Sequence, residues 1–182
     1  MADVVDLIKA QHRAIDDLLE QAEQAEPDQV RELLQQVADL LLPHSEAEES
    51  FVYPAIREYD ESEDAEVKDG AAEHHHIEGL LRELLTEDPA GPGFDGKLAA
   101  MAGELRHHVE EEEQDLLPVL SEKADDDERE ELGTRFAEET GAGLAAGAGA
   151  TRDELYEEAR RQDVPGRSSM TKDELAEAVD NP

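Results

Sequence analysis

The chain has 182 residues, enough for one cored domain and a small appendage, and carries 50 acidic against 16 basic residues for a net charge of -34. That surface repels nucleic acid and anionic membranes, the lack of cysteine excludes disulfides, thiolate metal sites, cysteine-ligated iron–sulfur clusters and cysteine nucleophiles, and no segment approaches a membrane span. With three Phe, three Tyr and no Trp, the core must come from Leu, Ile, Val and Ala, which suit helices better than sheets.

Four segments in chain order place apolar residues at helical spacing. The first stripe is Val4, Ile8, His12, Ile15, Leu19 and Ala22, with a histidine at its middle. After "EPD" at 26 to 28 the second runs Val30, Leu33, Val37, Leu41, His44, Glu48, Phe51 and Ala55, and Pro43 and Pro54 predict a kink beside His44. After "DESED" at 60 to 64 the third is Val67, Gly70, His74, Ile77, Leu81 and Leu84. After "DPAGPG" at 88 to 93 the fourth is Leu98, Met101, Leu105, His108, Glu112, Leu116 and Val119. These spacings predict an all-α, up-down-up-down four-helix bundle. A fifth helix over 125–139 is expected to pack Leu132 and Phe136 against it, closing a first unit at 1–140. The Gly- and Ala-rich run 141–150 reads as a linker. Residues 151–182, with capping boxes Thr151/Glu154 and Thr171/Glu174, read as a helix-loop-helix.

The bundle segment is a doubled two-helix unit. "HSEAEESFVYP" and "HVEEEEQDLLP" align His44 with His108, Glu48 with Glu112 and Pro54 with Pro118, while "HRAIDDLLE" and "HHHIEGLLR" align His12 with His74, at offsets of 64 and 62 residues. Residues four apart share a helix face, so each His-x-x-x-Glu pair presents a nitrogen and a carboxylate to one point. His76 is rotated by about 200° from His74, and His75 falls on the polar side, so only His74 of that triplet faces inward; the same logic selects His108 over His107. Six ionisable groups on apolar stripes are destabilising without partners, and a metal supplies them. Four imidazoles and two carboxylates exceed what one tetrahedral zinc uses and suit two first-row ions, with Glu48, Glu112 and an oxo or hydroxo group as bridges and one position per ion left open.

This pattern resembles the hemerythrin-like HHE cation-binding family over about residues 1 to 140. It is carried by His12 in "AQHRAIDDLL", His44 and Glu48 in "HSEAEESFVYPA", His74 in "AEHHHIEGLL", and His108 and Glu112 in "RHHVEEEEQDLLP". The resemblance implies a non-haem site of two iron ions that handles dioxygen, nitric oxide or peroxide. The chain departs from the oxygen-carrying hemerythrins, which have a fifth histidine where this chain has Glu78, and an Asp five residues after the helix-four histidine where this chain has Glu112 four after. The symmetric set is similar to bacterial di-iron proteins of nitrosative stress and iron–sulfur repair.

The functional expectation is a protein that binds or senses one of these small ligands. The alternatives are a di-iron enzyme of oxidative or nitrosative stress defence and a bundle merely held together by metal. Asp16 and Glu78, one turn after His12 and His74, are candidates to close the open positions, and Tyr53 and Glu73 to support the ligands from behind. The C-terminal segment is similar to the helix-loop-helix motifs of the SAP and Rho N-terminal type. Its net charge of -4 makes a protein docking role the better expectation than weak nucleic-acid binding. The start of the chain lacks the apolar core of a signal peptide, and abundant acid with only five Lys is a halophilic-type composition, so a cytoplasmic protein is expected.

Overall fold

The computed structural model describes residues 2–141 together with Arg160, Arg167, Met170, Thr171 and Leu175. Every regular element among them is helical. Apart from those five positions and Gly141, the expected linker and helix-loop-helix lie outside the described residues.

Helix α1 spans Val4–Gln24, and the Asp3 carboxylate caps it by accepting from the Val5 N–H at 2.9 Å. Pro27 opens α2 (Pro27–Ala47) at its first turn, where a missing N–H costs nothing. The chain then makes a π-turn, Glu48–Val52, before α3 (Tyr53–Tyr59). Helix α4 spans Asp64–Thr86, and Gly93, at φ +92°, leads into α5 (Phe94–Glu111). A second π-turn, Glu112–Leu116, joins α5 to α6 (Leu117–Lys123). Helix α7 (Asp126–Thr140) begins with a reciprocal Asp125/Glu128 capping box and ends at Gly141, whose φ of +68° gives a left-handed cap.

The two π-turns share a cause. In each, an N–H bonds back five residues, Tyr53 to the Glu48 carbonyl and Leu117 to the Glu112 carbonyl, and a proline follows immediately. Pro54 and Pro118 have no N–H to donate, and their rings would strike the carbonyls of Ser50 and Gln114 in a regular helix. The wider turn relieves that clash. Pro43 lies inside α2, which runs on to Ala47, and the π-turn at Glu48–Val52 begins one turn after His44, near where the kink was expected.

An extra residue in a turn also rotates everything after it. Ala55, expected on the inner stripe, is only half-buried, and Val52 and Ile56 are fully enclosed instead. Likewise Leu117 and Leu120 take the innermost places after the second π-turn, with Val119 at 7% exposure beside them. Upstream, Leu33 and Leu34 fit the spacing between Val30 and Val37 equally well, and Leu34 is the one enclosed. The α4 stripe is as expected: Val67, Gly70, His74, Ile77, Leu81 and Leu84 are its buried residues.

Helix α1 packs on α2, α4 on α5, α2 on α4 and α1 on α5, so four helical rods close a ring. Two apolar clusters fill it, one around Ile15, Leu34, Leu81 and Met101, the other around Ile8, Val52, Ile56 and Leu120. The inward histidines lie between these clusters along every rod. Helix α7 crosses α1 and α2, burying Phe136 fully and covering Leu132 in part. Gly133 allows this approach, because a Cβ there would stand 2.1 Å from the Ala2 carbonyl oxygen. Arg129 fastens the same corner, donating from Nε to Asp3 at 2.7 Å and from a terminal nitrogen to the Ala124 carbonyl at 2.6 Å.

Candidate metal centre

His12, His44, His74, His108, Glu48 and Glu112 are all between 0% and 4% exposed. They form one polar layer between the two apolar clusters. His12 and His44 approach Nε2 to Nε2 at 3.1 Å, and His74 and His108 do so at 2.9 Å. The carboxylates connect the two pairs. Glu48 places Oε1 3.1 Å from His44 Nε2 and Oε2 3.3 Å from His74 Nε2, while Glu112 Oε2 lies 3.2 Å from His12 Nε2 and 3.9 Å from His108 Nε2. One donor atom each from His12, His44, Glu48 and Glu112 fall within 4.8 Å of one another, as do donors from Glu48, His74 and His108.

Each imidazole is held from behind through Nδ1. His12 donates to Glu113 at 2.9 Å, His44 to Gln11 Oε1 at 2.9 Å, His74 to Glu49 at 3.2 Å and His108 to Glu73 at 2.9 Å. The His74 and His12 hydrogen bonds hold the Glu49 and Glu113 carboxyls below their usual range, so both are ionised and accept only. Nδ1 then carries the proton, and the Nε2 lone pair faces the layer. Of these four anchors the sequence pointed to Glu73 alone. Gln11, Glu49 and Glu113 went unseen, although the repeat aligns Gln11 with Glu73 and Glu49 with Glu113.

Two facing imidazole lone pairs at about 3 Å repel each other unless a positive charge lies between them. Without a metal that charge must be a proton. Burial opposes charging His12 and His74, but the carboxylates beside them outweigh it, pushing His12 up to about 9 and His74 up to about 10. Burial and the neighbouring His74 charge push His108 down, so the second pair holds a single proton. Burial also opposes charging Glu48, yet His44 and His74 hold it well below the usual carboxylate range. Apart from these imidazole contacts, both oxygens of Glu48 and of Glu112 are buried without a hydrogen bond. A buried acceptor left in that state is destabilising, and a bound cation is what four such oxygens and four converging nitrogens fit.

Tyr53 stacks on His74, ring centroids 5.7 Å apart and planes within 7° of parallel, and its hydroxyl is buried without a partner. Burial and the Glu112 and Glu48 charges raise its ionisation far above the ordinary range, so it remains a donor. Gly70 makes room for it: a Cβ there would stand 3.0 Å from the hydroxyl.

The remaining candidates lie elsewhere. Asp16 accepts from Arg106 at 2.6 Å and Glu78 from Arg82 at 2.7 Å, so neither joins the layer. His75 faces outward against the Ala71 carbonyl, and the largely exposed His76 and His107 pair with Glu104 and Glu111.

A helical bundle whose core converges buried imidazoles and carboxylates on shared points is a metal-binding protein. The model of the hemerythrin HHE cation-binding domain matches residues 3–120, and the chain belongs to that family. It is also 27% identical over 135 residues to a protein of Nostoc sp. (strain PCC 7120 / SAG 25.82 / UTEX 2576) named DNA nickase. That match covers 73% of this chain and 38% of the relative, so the chain spans about two fifths of the relative's length. No solved structure matches.

Proposed function

We propose that the chain is a di-iron protein that binds or senses dioxygen, nitric oxide or peroxide, with His12, His44, Glu48, His74, His108 and Glu112 as its metal ligands. The observation that carries this is Glu48, which faces both histidine pairs within 3.3 Å and has no other partner for either oxygen. Two donor clusters that share Glu48 favour two ions over one closed site, and four imidazoles without a thiolate favour a borderline first-row metal. Iron fits that class and is the expectation carried by family resemblance. When bound, two iron ions supply redox-active positions for a diatomic gas or peroxide. The chain's own residues fix the imidazoles through Gln11, Glu49, Glu73 and Glu113, exclude bulk water with the flanking apolar clusters, and keep the Tyr53 hydroxyl as a donor close by.

The alternation of the two apolar clusters along successive rods supports an up-down-up-down order, with residues 1–140 as one unit. Burial of the ligands speaks against cleavage of a nucleic-acid backbone at this centre. A duplex phosphate has no access to carboxylates that are 0% and 1% exposed, and a chain of net charge -34 repels it. No described helix is long and apolar enough to cross a membrane.

The test is the near-ultraviolet and visible spectrum of the iron-loaded chain before and after addition of nitric oxide and of hydrogen peroxide. A charge-transfer band that changes with at least one of them is expected. Iron bound at full stoichiometry with a spectrum indifferent to both contradicts a ligand-handling role and leaves a structural metal.

A further inference from the structure

The metal layer has two flanks, and the internal repeat allows them to be compared position by position. On the His44 side, Val4, Leu7, Ile8, Ala47 and Phe51 belong to the apolar cluster that includes Phe136 of α7, whose ring meets His44 edge-on at 5.6 Å. At the repeat offsets of 62 and 64 residues, the matching wall over His108 and Glu112 is Glu66, Asp69, Gly70, Glu111 and Asp115. These five apolar positions are acids or a glycine on the other flank, while the fully buried Val52 keeps an apolar match in Leu116, which lines the cleft.

The acidic flank opens into a narrow cleft, lined also by Glu73 and Leu116, that reaches His108 and Glu112. Glu112 lines it at 1% exposure, its carboxylate in contact with the His12 and His108 imidazoles and with no further hydrogen-bond donor on either oxygen. Gly70 keeps it open, since a Cβ there would reach 3.0 Å from the Tyr53 hydroxyl and 3.7 Å from His108. Glu66 and Asp69 stand three apart on α4, and Glu111 and Asp115 four apart across the α5 junction, spacings at which like charges repel. Among the described residues, Glu66, Asp69 and Asp115 have no basic partner. A mouth that carries three acids without a basic partner, with a buried carboxylate held only by imidazoles at its end, has the chemistry of a path for a cation.

We infer that this cleft is the loading port of the metal centre: it draws a divalent first-row cation from solvent, delivers it to Glu112 and His108, and turns anions away. The inference rests on the metal-centre reading above. A cleft of one sign with low-dielectric walls concentrates its counter-ion and raises on-rates about 10- to 1000-fold, an effect that salt removes. Neutral molecules such as dioxygen, nitric oxide and hydrogen peroxide pass without that gain.

The port is tested by stopped-flow mixing of the metal-free full-length chain with cobalt(II), following the absorbance of the bound ion. Three proteins are compared: wild type, E66Q/D69N/D115N at the mouth, and D17N/E20Q/E46Q, which removes the same charge from exposed positions that do not line the cleft. All three should reach the same cobalt content and show the same helical circular dichroism. The mouth variant should load at least tenfold more slowly at low salt, and its rate should lose most of the dependence on KCl that wild type and the control retain. Loading by the mouth variant at the control's rate and salt dependence overturns the port. A wild-type chain that binds no cobalt at equilibrium overturns the metal-centre reading instead, and the two failures are distinct.

Discussion

Glu48 Oε2 lies 3.3 Å from His74 Nε2, on a different rod, while Oε1 of the same carboxylate lies 3.1 Å from His44, one turn earlier on its own. A single side chain thus ties the two halves of the repeat together. Glu48→Gln should therefore weaken both metal positions, read as loss of both ions to a competing chelator. His74→Ala should release chiefly the ion nearer His74 and His108. His75→Ala and His76→Ala, which alter outward-facing residues, should hold metal as wild type does.

The Nδ1 anchors should act through the imidazoles they orient. Glu49→Gln and Glu113→Gln retain an acceptor but remove the charge, and each should lower metal affinity by about 10- to 100-fold, as removal of an outer-shell partner does elsewhere. Affinity measured by chelator competition should fall while helical content stays constant. Unchanged affinity in both variants would show that the two carboxylates do not tune the ligands.

The layer was legible in the sequence because the chain states it twice. Val67 to Leu84 on α4 can be read straight from a regular period, and the matched His-x-x-x-Glu pairs select the inner histidine wherever two or three adjoin. Periodicity failed at Ala55, because it assumes a constant turn and the π-turn inserts a residue. The matched Pro54 and Pro118 were the signal for that turn. The anchors Gln11, Glu49 and Glu113 were hidden for another reason. Each adjoins a proposed ligand in sequence but bonds a histidine of a different rod, a relationship set by packing.

Stability of the chain stripped of metal should depend on pH with a definite sign. His12 is pushed up to about 9 and His74 up to about 10, against a value near 6.5 when unfolded. The folded chain then binds more protons than the unfolded one. The stability from these groups is complete below pH 6.5 and is lost as pH rises through about 9 and 10. Urea midpoints should fall between pH 7 and pH 10.5, with a smaller fall in His12→Gln/His74→Gln. Loading metal at pH 8 should release about two protons per chain, measured with a pH indicator in weak buffer.

Gly133→Ala should destabilise the fold without touching the metal layer. Its Cβ would stand 2.1 Å from the Ala2 carbonyl oxygen, so the segment before α1 must move or α7 must lift. A loss of about 1–3 kcal/mol in urea unfolding is expected, as for other overpacked sites. No loss would mean that α7 does not bear on α1 as closely as Gly133 indicates.

The most direct test of the metal centre is elemental analysis of the chain purified after expression in iron-replete medium, beside Glu48→Gln/Glu112→Gln prepared in the same way. Two iron atoms per wild-type chain and fewer than one in the double variant are expected. A wild-type chain without iron, or a double variant that retains two, would contradict a centre built on these carboxylates.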